Sequence, residues 1–276
     1  MVTVLPADNH VHSEWSYDTS PDASMVRTCE QAIEVGLPAV AFTEHLEFTT
    51  AGEGDAITGI AADARWWSRI KPLDVTGYLA CLEDCRSRFP DLRILAGVEA
   101  GEAHLFAGSA AAIVDSRDWD RVLGSLHAVP YNGRVIAADA LFNHMPHDEA
   151  MRLYFDELLR LIEGSDLFEV LAHPDFPRRY WPLGAHLYQE KPFEEEYRTV
   201  FRALAASGRV LEINTKSPLS SVDLISWWRE AGGRAVSFGS DAHVPGRVGA
   251  RFKEAVDIVE AAGFRPGHDQ YDFWRV

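Results

Sequence analysis

Positive charge is scarce in this chain. Its 276 residues carry 26 Lys and Arg against 42 Asp and Glu, a formal net charge of −16, and nowhere do three basic residues stand in a row. A protein that coats nucleic acid or lies on an anionic membrane needs clustered Lys and Arg to meet phosphates, so both classes are excluded. No stretch approaches the roughly 18 uninterrupted apolar residues of a membrane helix. The opening MVTVLPADNH has neither the basic region nor the apolar run of a signal peptide. Cysteine is scarce too: Cys29, Cys81 and Cys85 give an odd count, and the last two, four apart in a segment read as helical, are poorly placed to pair. A reducing compartment, the cytoplasm, is expected, with these thiols in the core or on a helix surface. Gly-x-Gly-x-x-Gly is missing after the first apolar run, so nothing points to a dinucleotide fold.

What remains is ordinary for a globular protein, with 47% hydrophobic and 25% charged residues. A single domain spanning 1–276 is the default, because α/β barrels of this size form one domain. Short apolar runs predict strands at Thr3–Asp8, Ala39–Thr43, Arg93–Val98, Arg121–Ser125, Leu167–Ala172, Arg209–Ile213 and Ala235–Gly239. Their near-continuous apolar character suits burial on both faces. Helical periodicity lies between them: Met25, Val26, Cys29 and Ile33 before a stop at Gly36, then Met151, Tyr154, Phe155, Leu158, Leu159 and Ile162, then Glu194–Ser207 and Ser221–Ala231. This alternation predicts parallel βα units, as an open doubly wound sheet or a closed barrel. Two long connections, Leu46–Val75 with Arg65, Trp66, Trp67 and Arg69, and Pro174–Pro192, are of the length that functional loops take.

Histidines fall where those strands end. His10 and His12 follow the first, His45 the second, His127 the fourth, His173 the fifth and His243 the seventh, while Glu99 ends the third and Asp241 accompanies His243. One histidine after a strand is most simply a cap or a loop hydrogen bond; six at strand ends are not. Parallel strands in a barrel bring their C-terminal ends to one face. In His-x-His the two side chains point the same way along an extended chain, so both can reach one ion. Imidazoles with carboxylates suit Zn, Fe or Mn better than Mg or Ca. With Asp18 counted, nine groups at three or four per ion imply two or three divalent ions.

These residues also carry a resemblance. Asp8-Asn9-His10-Val11-His12, Glu44-His45, Gly97-Val98-Glu99, Gly124-Ser125-Leu126-His127, Ala172-His173-Pro174 and Gly239-Ser240-Asp241-Ala242-His243 resemble, in order, the motifs of the PHP (polymerase and histidinol phosphatase) family. The resemblance implies a distorted seven-stranded (β/α)7 barrel, TIM-like, with a trinuclear metal centre at the C-terminal ends of the strands. It implies that His10, His12, Glu99 and Asp241 bind one metal, Glu99, His127 and His173 a second, and Asp18, His45 and His243 a third. A hydroxide shared by the first two ions would be the nucleophile on phosphorus. Glu99, Asp241 and His243 are therefore the expected catalytic residues, and Asp241 or His243 would pass a proton to the leaving alcohol.

Other residues are placed by position. Asp8, Glu44 and Asp175 sit beside ligands and can orient imidazole N–H groups or cap turns. Arg178, Arg179, Asn214, Lys216 and Arg247 are the expected substrate contacts, with Arg178 and Arg179 also readable as a solvated loop pair. Trp66 and Trp67 are read as packing. His104, His144, His147, His186 and His268 match no motif and are read as surface or loop residues. The expected activity is a phosphomonoesterase. The length and the loops after His45 and His173 resemble stand-alone histidinol-phosphate phosphatases, with L-histidinol phosphate as substrate, phosphate as product, and Glu14 or Glu44 available for its ammonium group. Two alternatives stand beside it: a family phosphoesterase acting on a mononucleotide, another small ester or a phosphodiester, and a non-catalytic metal-binding regulatory module.

Overall fold

A computed structural model describes residues 5–48 and 70–276. The expectations for Thr3 at the first strand and for Arg65, Trp66, Trp67 and Arg69 lie outside those residues. One sheet holds β1 (Asp8–Val11), β2 (Ala39–Leu46), β3 (Arg93–Gly101) and β4 (Arg121–Ser125) in order. A separate antiparallel hairpin, β5 (Ala128–Tyr131) and β6 (Arg134–Ala137), follows β4. The main sheet continues through β7 (Val170–Leu171), β8 (Val210–Asn214) and β9 (Ala235–Gly239). From β1 to β9 every pairing in this sheet is parallel, and β10 (Trp274–Arg275) closes the edge antiparallel to β9. Beyond the ladders, Val11 bridges Ala242, the His12 N–H donates to the Ala242 carbonyl at 2.9 Å and the Asp241 N–H to that of His10 at 2.7 Å. The sheet therefore curls until β1 and the end of β9 meet.

Helices α1 (Met25–Val35), α2 (Val75–Arg88), α3 (Ala107–Val114), α4 (His147–Gly164), α5 (Glu194–Ala206), α6 (Val222–Glu230) and α7 (Phe252–Ala261) are laid against this sheet. Their limits follow local chemistry. Ser24 and Ser221 accept N–H bonds in the first turns of α1 and α6, and Gly36 ends α1 in the left-handed region at φ 78°. The apolar stripe of α4 is buried at Met151, Tyr154, Phe155, Leu158 and Ile162, and continues into α5 through Phe155 and Tyr197, whose rings lie 4.6 Å apart. Each such side chain contributes about 1.5–3 kcal/mol when removed from water. On α1 the stripe falls one position earlier than expected: Ala32 is buried and Ile33 is 49% exposed. Cys29, Cys81 and Cys85 are free thiols packed between α1 and α2. Among the described residues no helix is long and apolar enough to cross a membrane.

The strands reach further into the site than their apolar runs predict. His10 lies inside β1, which spans Asp8–Val11 rather than ending at Asp8, and His45 and Glu99 lie inside β2 and β3. Polar side chains with poor intrinsic strand preference are held extended here because both neighbours in the sheet supply hydrogen bonds.

Candidate metal centre

Glu99 is the hub. It is wholly buried, and the register of β2 against β3 sets it beside His45. Its Oε1 lies 2.8 Å from Nε2 of His173 and 3.3 Å from Nε2 of His127. Its Oε2 lies 2.9 Å from Nδ1 of His45, 3.3 Å from Nε2 of His10 and 3.4 Å from Nε2 of His12. The last two belong to alternate residues of one extended segment and so point inward together. Around this hub, Asp18 Oδ2 is 3.0 Å from His243 Nε2 and 3.5 Å from His45 Nε2, and Asp241 Oδ1 is 3.3 Å from His243 Nδ1 and 3.6 Å from His12 Nε2. The structure thus brings together all nine residues that the sequence singled out as ligands.

The donor set fits divalent cations. Burial works to raise the Glu99 carboxyl, yet the imidazoles of His10, His127 and His45 hold it well below the usual carboxylate range. Asp241 is likewise pushed up by burial and brought well below that range by Lys216 and Arg179. His10 Nδ1 is 2.6 Å from Glu212, His127 Nδ1 is 2.7 Å from Glu47, and His12 Nδ1 is 3.0 Å from the Ser16 hydroxyl, which gives its own proton to Glu44. Those partners accept from Nδ1–H and leave Nε2 as a lone pair aimed at the hub. Lone pairs then face each other where Nε2 of His10 and His12 lie 3.1 Å apart, and Nε2 of His127 lies 3.4 Å from that of His173. Glu99 Oε2 and His45 Nδ1 are buried without any hydrogen bond among the described residues. Buried acceptors facing acceptors are costly unless a cation lies between them. Among the described residues five groups of three could hold one: His10, His12 and Glu99; His45, Glu99 and His127; His12, His45 and His243; His10, His173 and Asp241; and Glu47, Glu102 and His127.

A layer of carboxylates behind these ligands was not foreseen. Glu212 of β8 grips the His10 ring and also accepts the His173 N–H at 2.7 Å. Gly239 permits this, because a Cβ there would meet the Glu212 carboxylate at 2.1 Å. Glu102 accepts the N–H groups of His127 at 2.6 Å and Ala128 at 2.8 Å, and burial beside Glu47 pushes its carboxyl up to about 8. Glu102, His173 and Asp241 all adopt positive φ, 44°, 24° and 50°. Each such position costs on the order of 1–3 kcal/mol and persists only where surrounding contacts impose it.

The residues read as second-layer or substrate groups divide. Glu44 acts on His12 through Ser16, but Asp8 binds backbone instead, accepting from Ser240 and Gly249 at 2.9 Å, with its carboxyl pushed up by burial to about 6. Asp175 holds Arg178 at 3.1 Å and the Tyr197 hydroxyl at 3.1 Å rather than an imidazole. Arg178 is spent on Asp175 and Glu190, the latter at 2.9 Å, and stacks over Tyr188. Its neighbour turns the other way: Arg179 reaches Asp241 at 2.6 Å, Asn214 at 3.0 Å and Ser217 at 2.6 Å. Lys216 lies 3.0 Å from Asp241 and 3.1 Å from His243. Arg247 is exposed and outside the cavity lining. Glu14 caps α1 at the Met25 N–H, and Glu44 is fully enclosed, so neither faces the cavity. Among the histidines read as surface or loop residues, His186 is exposed, whereas His104 is largely buried against Glu157 at 2.8 Å.

The centre opens into a cavity of about 80 Å³ walled by Tyr17, Phe176, Tyr180, Arg179 and Lys216 with the ligands themselves. A larger cavity, about 640 Å³, lies at the opposite ends of β7 to β9 and contains no histidine. A family model for the PHP domain matches residues 8–216. The chain belongs to the PHP domain family. Asp241 and His243 lie past the matched segment of this PHP domain and reach the centre through β9. The histidinol-phosphatase of Lactococcus lactis is 25% identical over 93% of this chain and 91% of its own length. A probable histidinol-phosphatase of Deinococcus radiodurans is 27% identical over 86% of each chain. The crystal structure of the Lactococcus lactis histidinol phosphate phosphatase, complexed with Zn, L-histidinol and phosphate, superposes with a TM-score of 0.80 at 24% identity, covering 95% of each chain. A second solved structure, of a putative histidinol phosphatase from Listeria monocytogenes, gives 0.75 at 17% identity, covering 90% of this chain and 99% of that one. The fold is that of these TIM-barrel-like enzymes.

Proposed function

We propose that this chain is a metal-dependent phosphomonoesterase of the cytoplasm that hydrolyses L-histidinol phosphate to L-histidinol and phosphate. The observation that carries the reading is Glu99, one carboxylate with separate sets of imidazoles on its two oxygens. His10, His12, Glu99 and Asp241 would hold one ion, Glu99, His127 and His173 a second, and Asp18, His45 and His243 a third, of Zn, Fe or Mn. Such ions supply Lewis acidity, which activates water by lowering its pKa from 15.7 to about 7 and offsets phosphoryl charge. The chain's own residues do the rest. Arg179, held by Ser217 and Asn214, and Lys216 present cations to the phosphoryl oxygens. Phe176 and Tyr180 wall the cavity from solvent. His243, whose Nδ1 lies 3.3 Å from Oδ1 of the ionised Asp241, would pass a proton to the leaving alcohol. Similarity to histidinol-phosphatases over nearly the whole chain supports the substrate.

The test is a phosphate-release assay over histidinol phosphate, mononucleotides, sugar phosphates and a phosphodiester, run beside elemental analysis. Two to three equivalents of metal and fastest turnover of histidinol phosphate are expected. A metal content near zero after supplementation would remove the centre, and faster turnover of another ester would replace the substrate. The two arginines give a sharper expectation. Arg179→Ala should raise KM for the phosphate ester roughly tenfold or more, the worth of one charged hydrogen bond at about 1.5–3 kcal/mol. Arg178→Ala should leave KM unchanged and lower stability by about 3 kcal/mol in urea titration, because it strands Asp175 and Glu190.

A further inference from the structure

Two buried carboxylates behind the centre each keep one oxygen without a partner. Glu47 follows β2 and Glu102 follows β3. Glu47 Oε1 lies 2.7 Å from Nδ1 of His127, and Glu102 Oε1 accepts the N–H groups of His127 and Ala128. The second oxygen of each, Oε2, is buried without a hydrogen bond, and among the described residues no Lys or Arg pairs with either carboxylate. The backbone brings the pair together. Leu46 of β2 stands opposite Ala100 of β3, which sets Glu47 beside Gly101 at the sheet end. A Cβ on Gly101 would stand 2.5 Å from Glu47 Oε2, so glycine is what leaves that oxygen its place. Glu102 comes next in the chain. Oxygens of Glu47 and Glu102 and a ring nitrogen of His127 lie within 4.8 Å of one another. Two anions side by side in a dry interior are costly unless a cation lies between them. The three ions assigned above leave this pair alone, because His127 turns Nε2 to Glu99 and Nδ1 to Glu47.

We propose that Glu47 and Glu102 hold a further cation through their Oε2 atoms, a Ca²⁺ ion separate from the centre around Glu99. The donors choose the ion. With the His127 Nδ1–H already given to Glu47, only carboxylate oxygens remain, and these suit a hard cation rather than Zn or Fe. An ion midway between atoms 4.8 Å apart sits about 2.4 Å from each, inside the range of roughly 2.3–2.6 Å over which Ca²⁺ binds carboxylates. Mg²⁺ usually keeps several waters, and this pair is enclosed by protein. The ion ties the ends of β2 and β3 to the His127–Ala128 corner and holds Glu47 on the His127 ring, so it supports the centre without touching substrate.

The experiment loads the protein with Zn, removes the excess and titrates Ca²⁺ by calorimetry. Wild type should take up one equivalent of Ca²⁺ beyond its Zn, and its urea midpoint should rise with added Ca²⁺. Glu102→Gln keeps the volume of the side chain and, in its carboxamide oxygen, an acceptor for both N–H groups, but it removes the charge. The variant should bind Ca²⁺ at least about tenfold more weakly, keep its Zn and show no rise in midpoint. Wild type that takes up no Ca²⁺ would overturn the proposal, and the two carboxylates would then share a proton. Equal uptake by wild type and Glu102→Gln would overturn it as well, by placing the ion elsewhere on the acidic surface. If Glu102→Gln does not fold, wild-type crystals soaked in Tb³⁺, a Ca²⁺ substitute, decide by anomalous scattering. A peak between Glu47 and Glu102 is expected, and a map without one overturns the proposal. None of these readouts uses a phosphate ester, so the proposal fails or stands independently of the histidinol phosphate reading.

Discussion

Glu99→Ala should abolish phosphate release, by at least about a thousandfold, and should lower the bound metal at the same time. The size follows from its position. Five imidazole nitrogens lie within 3.4 Å of its two oxygens, so the variant removes the common partner of two of the proposed metal groups rather than one ligand of one ion. It also leaves five buried rings around an uncompensated void, and on His12 burial and the rings of His45, His243 and His10 disfavour a proton that would replace the lost charge. Single oxyanion or metal partners are typically worth about 10²–10³ in kcat, and a shared one should exceed that. Glu99→Gln separates charge from shape. It keeps the volume but cannot bridge two cations through equivalent oxygens, so it should lose nearly as much turnover while unfolding close to the wild-type urea midpoint. Turnover of Glu99→Ala within tenfold of wild type, at unchanged metal content, would show that the hub is structural.

The centre was legible because it is written in a simple pattern: apolar strand, then imidazole, repeated around a parallel sheet. That pattern survives ignorance of the loops, since His10, His12, His45, His127, His173 and His243 need only the strand order to converge. What was misjudged was local. The strand limits fell short at His10, His45 and Glu99, because propensity stops at the first polar residue whereas ladder hydrogen bonds continue. The β5–β6 hairpin was missed although Asn132-Gly133 between β-type runs is the usual two-residue turn signal; both residues have positive φ, 48° and 73°. Arg178 and Arg179 could not be told apart, since adjacent residues of a tight helical turn point about 120° apart and only the fold says which way. The supporting carboxylates carried a fainter signal. Glu212 stands in Val-Leu-Glu-Ile-Asn, and a lone acid inside an apolar strand has to be paired in the core. Glu47 and Glu102 look like any loop acids until the register of β2, β3 and β4 sets them under His127. The net charge of −16 gains meaning from this, because Glu44, Glu99, Glu102, Glu212 and Asp241 are all buried among or behind the ligands of one centre.

Glu212→Gln is the change by which that supporting layer should declare itself. Both Glu212 oxygens accept: Oε1 from His10 Nδ1 at 2.6 Å, Oε2 from the His173 N–H at 2.7 Å and from Asn214 Nδ2 at 3.1 Å. Burial pushes the Glu212 carboxyl up, but His10 brings it below the usual range, which is the mark of a carboxylate that stays ionised there. A carboxamide has one acceptor and one donor group, so its NH₂ must face either the His10 ring or the His173 N–H. If it faces His173, two donors collide in a packed site, where even a Cβ on Gly239 would meet the carboxylate at 2.1 Å. If it faces His10, the imidazole must move its proton to Nε2 and can no longer offer a lone pair to the centre. Either outcome should cost about 2–4 kcal/mol of stability and about a hundredfold in kcat, with metal content falling before the fold is lost. Asn214→Ala is the control, because it removes one partner of Glu212 and leaves both histidine contacts; it should retain metal. The two measurements that decide are metal per chain and kcat on folded protein. If Glu212→Gln keeps wild-type values for both, His10 is positioned by packing alone and the carboxylate layer has no part in building the centre.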